Sequence, residues 1–222
     1  MPSMIICDSS TLISLSDTCL IKVLPFLREH GGKFLIPQSV QQEIVSTPIH
    51  IKRYAFSAVR LQKAIDDHDL EVIEPDQNLL QRLVNSANSV FSVRGRPLQI
   101  LHAGEAACVA AYSKYKCAAL AIDEKTTRLL IEDPEKLREN ISQEYGAKVA
   151  LNTKALGEFT IATRGMQILR SSDLVAMAGK LGYFNSFRMR KDDALHSAIY
   201  AIKNAGCSLS ESEVEEYQQM KL

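Results

Sequence analysis

Short apolar runs that end in polar residues alternate along this chain with longer stretches of helical periodicity. MIIC (residues 4–7) has the length and character of a buried strand. LISLSDTCLIKVLPFLREH (12–30) predicts one amphipathic helix that stops at Gly31-Gly32, with basic residues and a histidine near its close. KFLIP (33–37) is the second predicted strand, and Ser39 with Gln42 forms a capping-box pattern at the head of a helix through QSVQQEIV (38–45). A helical stretch over 51–67 follows, then a short strand in LEVIEP (70–75), then a helix capped by Asp76 and running toward Val90. SVRGRPLQI (92–100) is a basic break containing Gly and Pro. HAGEAACVAAYSKYK (102–116) predicts a helix with Ala and Val on its packing face. AALAID (118–123) is another buried strand ending in an acid, and KVALN (148–152) a last, shorter one. Beyond Thr153 the pattern is helical, through KALGEFTIATRG, SDLVAMAGKLGYF, DDALHSAIYAIKNAG and SESEVEEYQQMKL. Strands alternating with helices predict an α/β fold with a central, mostly parallel sheet and helices on both faces. A core over residues 1–150 is expected, with a helical extension over 151–222 packed on it or on a partner subunit.

Composition narrows this little. The 222 residues can bury a substantial core as one domain with extensions, and 46% hydrophobic with 23% charged residues is ordinary for a globular protein. No apolar run approaches the roughly 18 residues of a membrane span. The N-terminus lacks the basic, apolar and small-residue order of a signal peptide, so a cytoplasmic setting is expected. Cys7, Cys19, Cys108, Cys117 and Cys207 are odd in number and scattered, which speaks for free thiols over disulfides or a zinc site. Lys plus Arg equals Asp plus Glu at 26 each, so the strong basic footprint of a non-specific nucleic-acid binder is missing while a local patch remains open.

Four acids change the picture. Asp8 ends the first strand beside Ser9, Ser10 and Thr11, Glu43 lies one turn into the helix after the second, Glu105 follows Gly104 at a helix start, and Asp123 ends AALAI. Each has a plain structural explanation: Asp8 and Asp123 as caps or turn residues, Glu43 as a solvated helix residue, Glu105 as an acid beside a helix N-terminus. Together they fit a site at the carboxyl edge of an α/β sheet. Clustered carboxylates repel unless a cation compensates, and an oxygen-only donor set suits Mg²⁺ or Mn²⁺.

DSSTLISL, FLIPQSVQQEIV, HAGEAACVAAY and AIDEKTTR, in this order and spacing, resemble the motifs of the PIN-domain family, metal-dependent nucleases that include the VapC toxins. The likeness covers residues 1 to about 150. It implies a three-layer α/β/α fold, with Asp8, Glu43, Glu105 and Asp123 as catalytic metal ligands and Ser10 and Glu124 as auxiliary residues. It also implies an RNA substrate hydrolysed with Mg²⁺ or Mn²⁺, and it brings an antitoxin, another protein or a second copy of the chain into view as partners. The span between Glu43 and Glu105 is longer than in compact toxins, and the helical tail is additional.

Candidate RNA contacts are Lys125 and Arg128, directly after a proposed ligand, and Arg94 and Arg96 around Gly95. Lys52 with Arg53, and the run Arg188-Met189-Arg190-Lys191, are weaker candidates, and any of these clusters also reads as solvated surface charge. Tyr112 and Tyr115 read as packing residues and His102 as a helix-start residue. A non-catalytic PIN-fold scaffold that binds RNA or assembles with other proteins is the alternative function. An aspartyl-phosphate phosphotransferase would want Asp where Ser10 stands, and no phosphate-binding glycine motif supports a nucleotide-binding Rossmann fold.

Overall fold

A computed structural model describes residues 3–188 and 190–220. Met189 of the basic run and the last two residues of SESEVEEYQQMKL lie outside the described residues. In chain order the first elements are β1 (Ser3–Cys7), α1 (Ser9–Asp17), α2 (Val23–Glu29), β2 (Gly32–Pro37) and α3 (Gln38–Gln41), which runs on as a π turn over Gln42–Ser46. A 3₁₀ turn (Pro48–His50) leads to α4 (Ala55–Asp66), β3 (Glu71–Ile73) and α5 (Gln77–Ala87). Then come β4 (Phe91–Val93), β5 (Arg96–Pro97), α6 (Ala103–Tyr115), β6 (Ala119–Ala121), α7 (Lys125–Glu132), α8 (Pro134–Tyr145) and β7 (Val149–Leu151). The C-terminal part holds α9 (Thr153–Thr163), β8 (Ile168–Leu169), α10 (Ser171–Lys180), α11 (Lys191–Asn204) and α12 (Glu211–Gln218).

The main sheet has the order β3-β2-β1-β6-β8, every pairing parallel. Ile5, Ile6, Phe34, Leu35, Ile36 and Leu120 fill its centre without exposed surface to speak of, as strands covered on both faces require. Helices α1, α4 and α10 pack together on the sheet, with α2 against α10. A second group has α6 on β1 and β2, α5 against α6, and α9 against α5. The architecture is the expected three-layer α/β/α arrangement.

Three expectations need correction. The stretch 12–30 is two helices, because Cys19 takes a left-handed φ of 60° and the chain turns between Asp17 and Val23. Pro25, in the first turn of α2, is the mark of that break in the sequence. Ser39 makes no capping bond; Pro37 precedes the helix and the Ser39 hydroxyl is buried without a partner. KVALN does not join the parallel sheet: β7 pairs antiparallel with β4 in a second sheet, β5-β4-β7. The parallel sheet takes its fifth strand from Ile168–Leu169, so it includes chain on both sides of residue 150. The cysteines are free thiols, Cys19 exposed and the others buried. Among the described residues no helix is long and apolar enough to cross a membrane.

The last helix is tied down through charge. Arg170 Nη1 donates to Glu213 Oε1 at 2.7 Å and to the Ser208 carbonyl at 3.1 Å, and the Tyr217 hydroxyl donates to Asp173. Burial alone would push the Glu213 carboxyl up, but the Ser210 N–H and hydroxyl and the Arg170 guanidinium hold it down at about 2. A folded-state value below the ordinary 4.5 stabilises the fold above pH 4.5, and that contribution is lost as pH falls toward 2. Glu213→Gln should therefore cost about 1 kcal/mol near neutral pH. The gap between the melting temperatures of wild type and variant should close between pH 4.5 and 2; a gap that stays constant across that window would contradict the pairing.

Candidate active site

Strand order places the site. β2 lies on one side of β1 and β6 on the other, so the winding of the sheet reverses between β1 and β6. Ligands of open α/β sheets bind in the crevice outside the strand ends at such a reversal. Asp8 leaves β1 there, and Asp123 and Glu124 leave β6.

Asp8 serves as a cap and is buried at the end of β1. It is the N-cap of α1 in extended conformation, its Oδ2 accepting from the Ser10 N–H at 3.0 Å and the Ser10 hydroxyl at 2.7 Å. The Cys108 thiol of α6 approaches its Oδ1 at 3.9 Å. Burial pushes the Asp8 carboxyl up, the Ser10 hydrogen bonds oppose this, and the Glu43 carboxylate pushes it further. The Cys108 thiol is raised well above its ordinary range, by burial first and then by Asp8, so it stays a neutral donor.

Glu43 rides on the π turn after α3, a departure from α-helical geometry frequent at functional sites. Its residue is exposed, yet its carboxylate rests over Gly104: a Cβ there would collide with Oε1 and lie 3.0 Å from Cδ. That close approach needs glycine at the start of α6. Glu105 comes next, its Oε2 accepting from the His102 N–H at 2.7 Å. Burial pushes the Glu105 carboxyl up to about 7, the His102 N–H counters it, and the Asp8 and Glu124 carboxylates add to the rise. The structure thus brings Asp8, Glu43 and Glu105 into one another's field, with Glu124 alongside. Glu124 also caps α7, accepting from the N–H groups of Thr126 and Thr127 at 2.7 Å.

Asp123 is placed differently. Its Oδ1 accepts from the Ser171 N–H at 2.7 Å and the Thr11 hydroxyl at 3.3 Å, and its Oδ2 from the Ser171 hydroxyl at 2.6 Å. The carboxylate is buried and committed to the head of α10. Ser10 links the two strand ends, its hydroxyl accepting from the Asp123 and Glu124 N–H groups at 3.0 and 3.3 Å. Ser171 and Thr11 were not marked as site residues in the sequence, since a serine beyond the core has no pattern tying it to Asp123.

Among the described residues, no Lys or Arg pairs with Asp8, Glu43, Glu105 or Glu124. Uncompensated carboxylates offering only oxygen donors suit a hard divalent cation. As they stand, no three His, Cys, Asp or Glu side chains among the described residues are grouped as a ready metal site. A family model described as DUF3368, PIN domain, matches residues 4–133. The chain belongs to the PIN-domain family. The match contains β1, the Glu43 turn, α6 and the β6 end, and so every acid considered above. No curated protein and no solved structure matches the chain.

The remaining candidates sit as follows in this PIN domain. Arg128 is mostly enclosed and pairs with Glu132 at 3.1 Å, while Lys125 is exposed at the start of α7. Lys52, Arg188 and Lys191 are exposed; Arg53 lies over the Tyr54 ring, and Arg190 stands 3.9 Å from Asp193. Arg94 and Arg96 are exposed on the β4–β5 hairpin. Tyr112 and Tyr115 pack against the core as expected, and His102 is the N-cap residue of α6.

Gly104→Ala should act on Glu43 without harming the fold. Alanine favours the helix over glycine by up to about 1 kcal/mol, and the flexible end of Glu43 can swing aside. The melting temperature should hold or rise while a crystal structure of the variant shows the Glu43 carboxylate displaced from α6. A clear fall in melting temperature would mean that Glu43 is locked in place.

Proposed function

We propose that this PIN domain is a ribonuclease that hydrolyses RNA phosphodiester bonds with Mg²⁺ or Mn²⁺ at the β1–β6 strand ends. The observation that supports this most is the electrostatic coupling of Asp8 to Glu43 and of Glu105 to Asp8 and Glu124, with no Lys or Arg among the described residues paired to them. Asp8, Glu43 and Glu105 would hold the cation. A divalent cation supplies water activation and stabilises the leaving oxygen of a phosphodiester. Asp8 offers a carboxylate fixed by a rigid strand and pinned through Ser10, so its position does not depend on side-chain freedom. Glu43 would bring a carboxylate from the π turn, and Glu105 one from the α6 start. Asp123, fourth in the family motif, would act in this reading from behind, seating α10 against the strand end. Exposed Lys125, next to Glu124, would meet substrate phosphate. Partners beyond RNA belong to the same proposal: Ile49, Ile51, Tyr54, Phe56 and Val59 leave an exposed apolar surface on and before α4, which supports a protein partner such as an antitoxin or a second copy. A cytoplasmic setting accords with the free thiols.

Asp8→Asn keeps the cap and removes one negative charge. It should lower Mn²⁺-dependent cleavage of single-stranded RNA by about 100-fold or more, several kcal/mol in barrier. Its melting temperature without metal should stay level or rise, because carboxylate repulsion falls. Glu124→Gln should lose less activity. Equal cleavage by wild type and Asp8→Asn would sink this site. A folded wild type that binds RNA yet cleaves none under Mg²⁺ or Mn²⁺ would favour the scaffold reading.

A further inference from the structure

The β4–β5 hairpin carries a feature that the fold does not need. Ser92 pairs with Pro97 and Val93 with Arg96, leaving Arg94-Gly95 as a two-residue loop. Both loop residues have positive φ, 52° and 77°. That arrangement favours Asn-Gly or Asp-Gly, and an arginine in the left-handed region is a conformational cost with no structural return. The Arg94 guanidinium makes no hydrogen bond or ion pair among the described residues, and neither does that of Arg96. Lys148 adds a third exposed cation, immediately before Val149, the strand partner of Val93.

An aromatic ring completes the surface. Tyr145, the last residue of α8, is 50% exposed, and its side chain makes no hydrogen bond or ring contact among the described residues. It lines one concavity of about 570 Å³ with Val93, Arg94, Arg96, Pro97 and Leu98. Glu144, one residue earlier, is the nearest acid in sequence, against three cations. An apolar floor, an open ring and unpaired guanidiniums are the elements with which proteins hold single-stranded nucleic acid: bases stack on the ring and phosphates meet the cations.

The geometry points to this concavity as a single-stranded RNA subsite, in which Tyr145 stacks on a base and Arg94 and Arg96 hold the flanking phosphates. The inference rests on the ribonuclease reading and adds to it a place where substrate is gripped away from the acids. The chain itself connects the two. Asn88 Oδ1 accepts from the Ile100 and Leu101 N–H groups at 2.7 and 2.8 Å, and its Nδ2 donates to the Leu101 carbonyl at 3.0 Å. This clamps the link from Pro97 to the start of α6, where Glu105 stands.

The test is fluorescence anisotropy with a labelled single-stranded RNA of about 12 nucleotides and mixed sequence, within usual site sizes. Binding is measured without divalent metal, beside a separate Mn²⁺ cleavage assay. Tyr145→Ala should weaken binding about tenfold, and Tyr145→Phe should restore it. Arg94→Asn with Arg96→Gln should weaken binding and reduce the salt slope by about 1.4, the share of two phosphates on a single strand. Arg94→Asn alone should raise the melting temperature, since Asn suits the left-handed position, so weaker binding cannot be put down to misfolding. Undiminished binding by Tyr145→Ala overturns the subsite, even if the arginine variants bind less, because attraction of any polyanion would explain that. Wild type that cleaves RNA while all variants bind and cleave equally overturns the subsite and leaves the ribonuclease reading intact. Binding that depends on the hairpin without any cleavage upholds the subsite and removes the ribonuclease reading. A folded wild type with no affinity for this RNA overturns the subsite and leaves the concavity to a protein partner.

Discussion

One serine hydroxyl joins the two halves of the parallel sheet where the site forms. The Ser10 hydroxyl donates to Asp8 Oδ2 and accepts from the N–H groups that open the chain after β6. The Asp8 N–H meanwhile donates to the Ala121 carbonyl at 2.9 Å. Parallel neighbours distant in sequence have no short turn to fix their register. Here the register is held at the end of the pair, and the same bonds fix the Asp8 carboxylate and the chain at Glu124. Position and chemistry depend on one small group.

That economy explains how so many acids coexist near a core. Two are buried without any cationic partner, each satisfied by hydroxyl and amide donors: Asp8 by Ser10, Asp123 by Ser171 and Thr11. Neutral donors relieve desolvation but leave net charge in place, unlike an arginine, which would cancel it. At Asp123 the remaining charge is surrounded by packing helices. At Asp8, equally buried, the Glu43 carboxylate adds to it. Identical residue types thus differ in what meets them, a helix start at Asp123 and further carboxylates at Asp8.

Much of this was legible in the sequence because it is local. MIIC, KFLIP and AALAI are apolar runs ending at polar residues, and all three are adjacent strands of the sheet. Asp76 caps its helix, accepting from the Leu79 N–H at 2.9 Å, as the pattern predicts. Glu105 beside Gly104 was visible, and so were Asp8 and Asp123 at the ends of neighbouring strands. What stayed hidden depends on distant contacts. β8 is two residues long, and β7 has the composition of a parallel strand while its partner lies in a hairpin. The different bonding of Asp123 and Glu124 was hidden for the same reason. Adjacent acids cannot be told apart until Ser171 is seen bonded to one of them.

The remote origin of β8 has a consequence for the growing chain. When synthesis has passed β6, four neighbouring strands can already pair, but the outer edge of β6 has no partner until Ile168 and Leu169 emerge. Through that interval Ala119–Ala121 presents a short apolar edge with open N–H and carbonyl groups, the form most prone to pairing with another chain. Its brevity and its small alanine side chains limit that hazard, and α10, following directly after β8, closes the gap as soon as it is made. A chain released before residue 170 would carry the acids but keep a sticky flank.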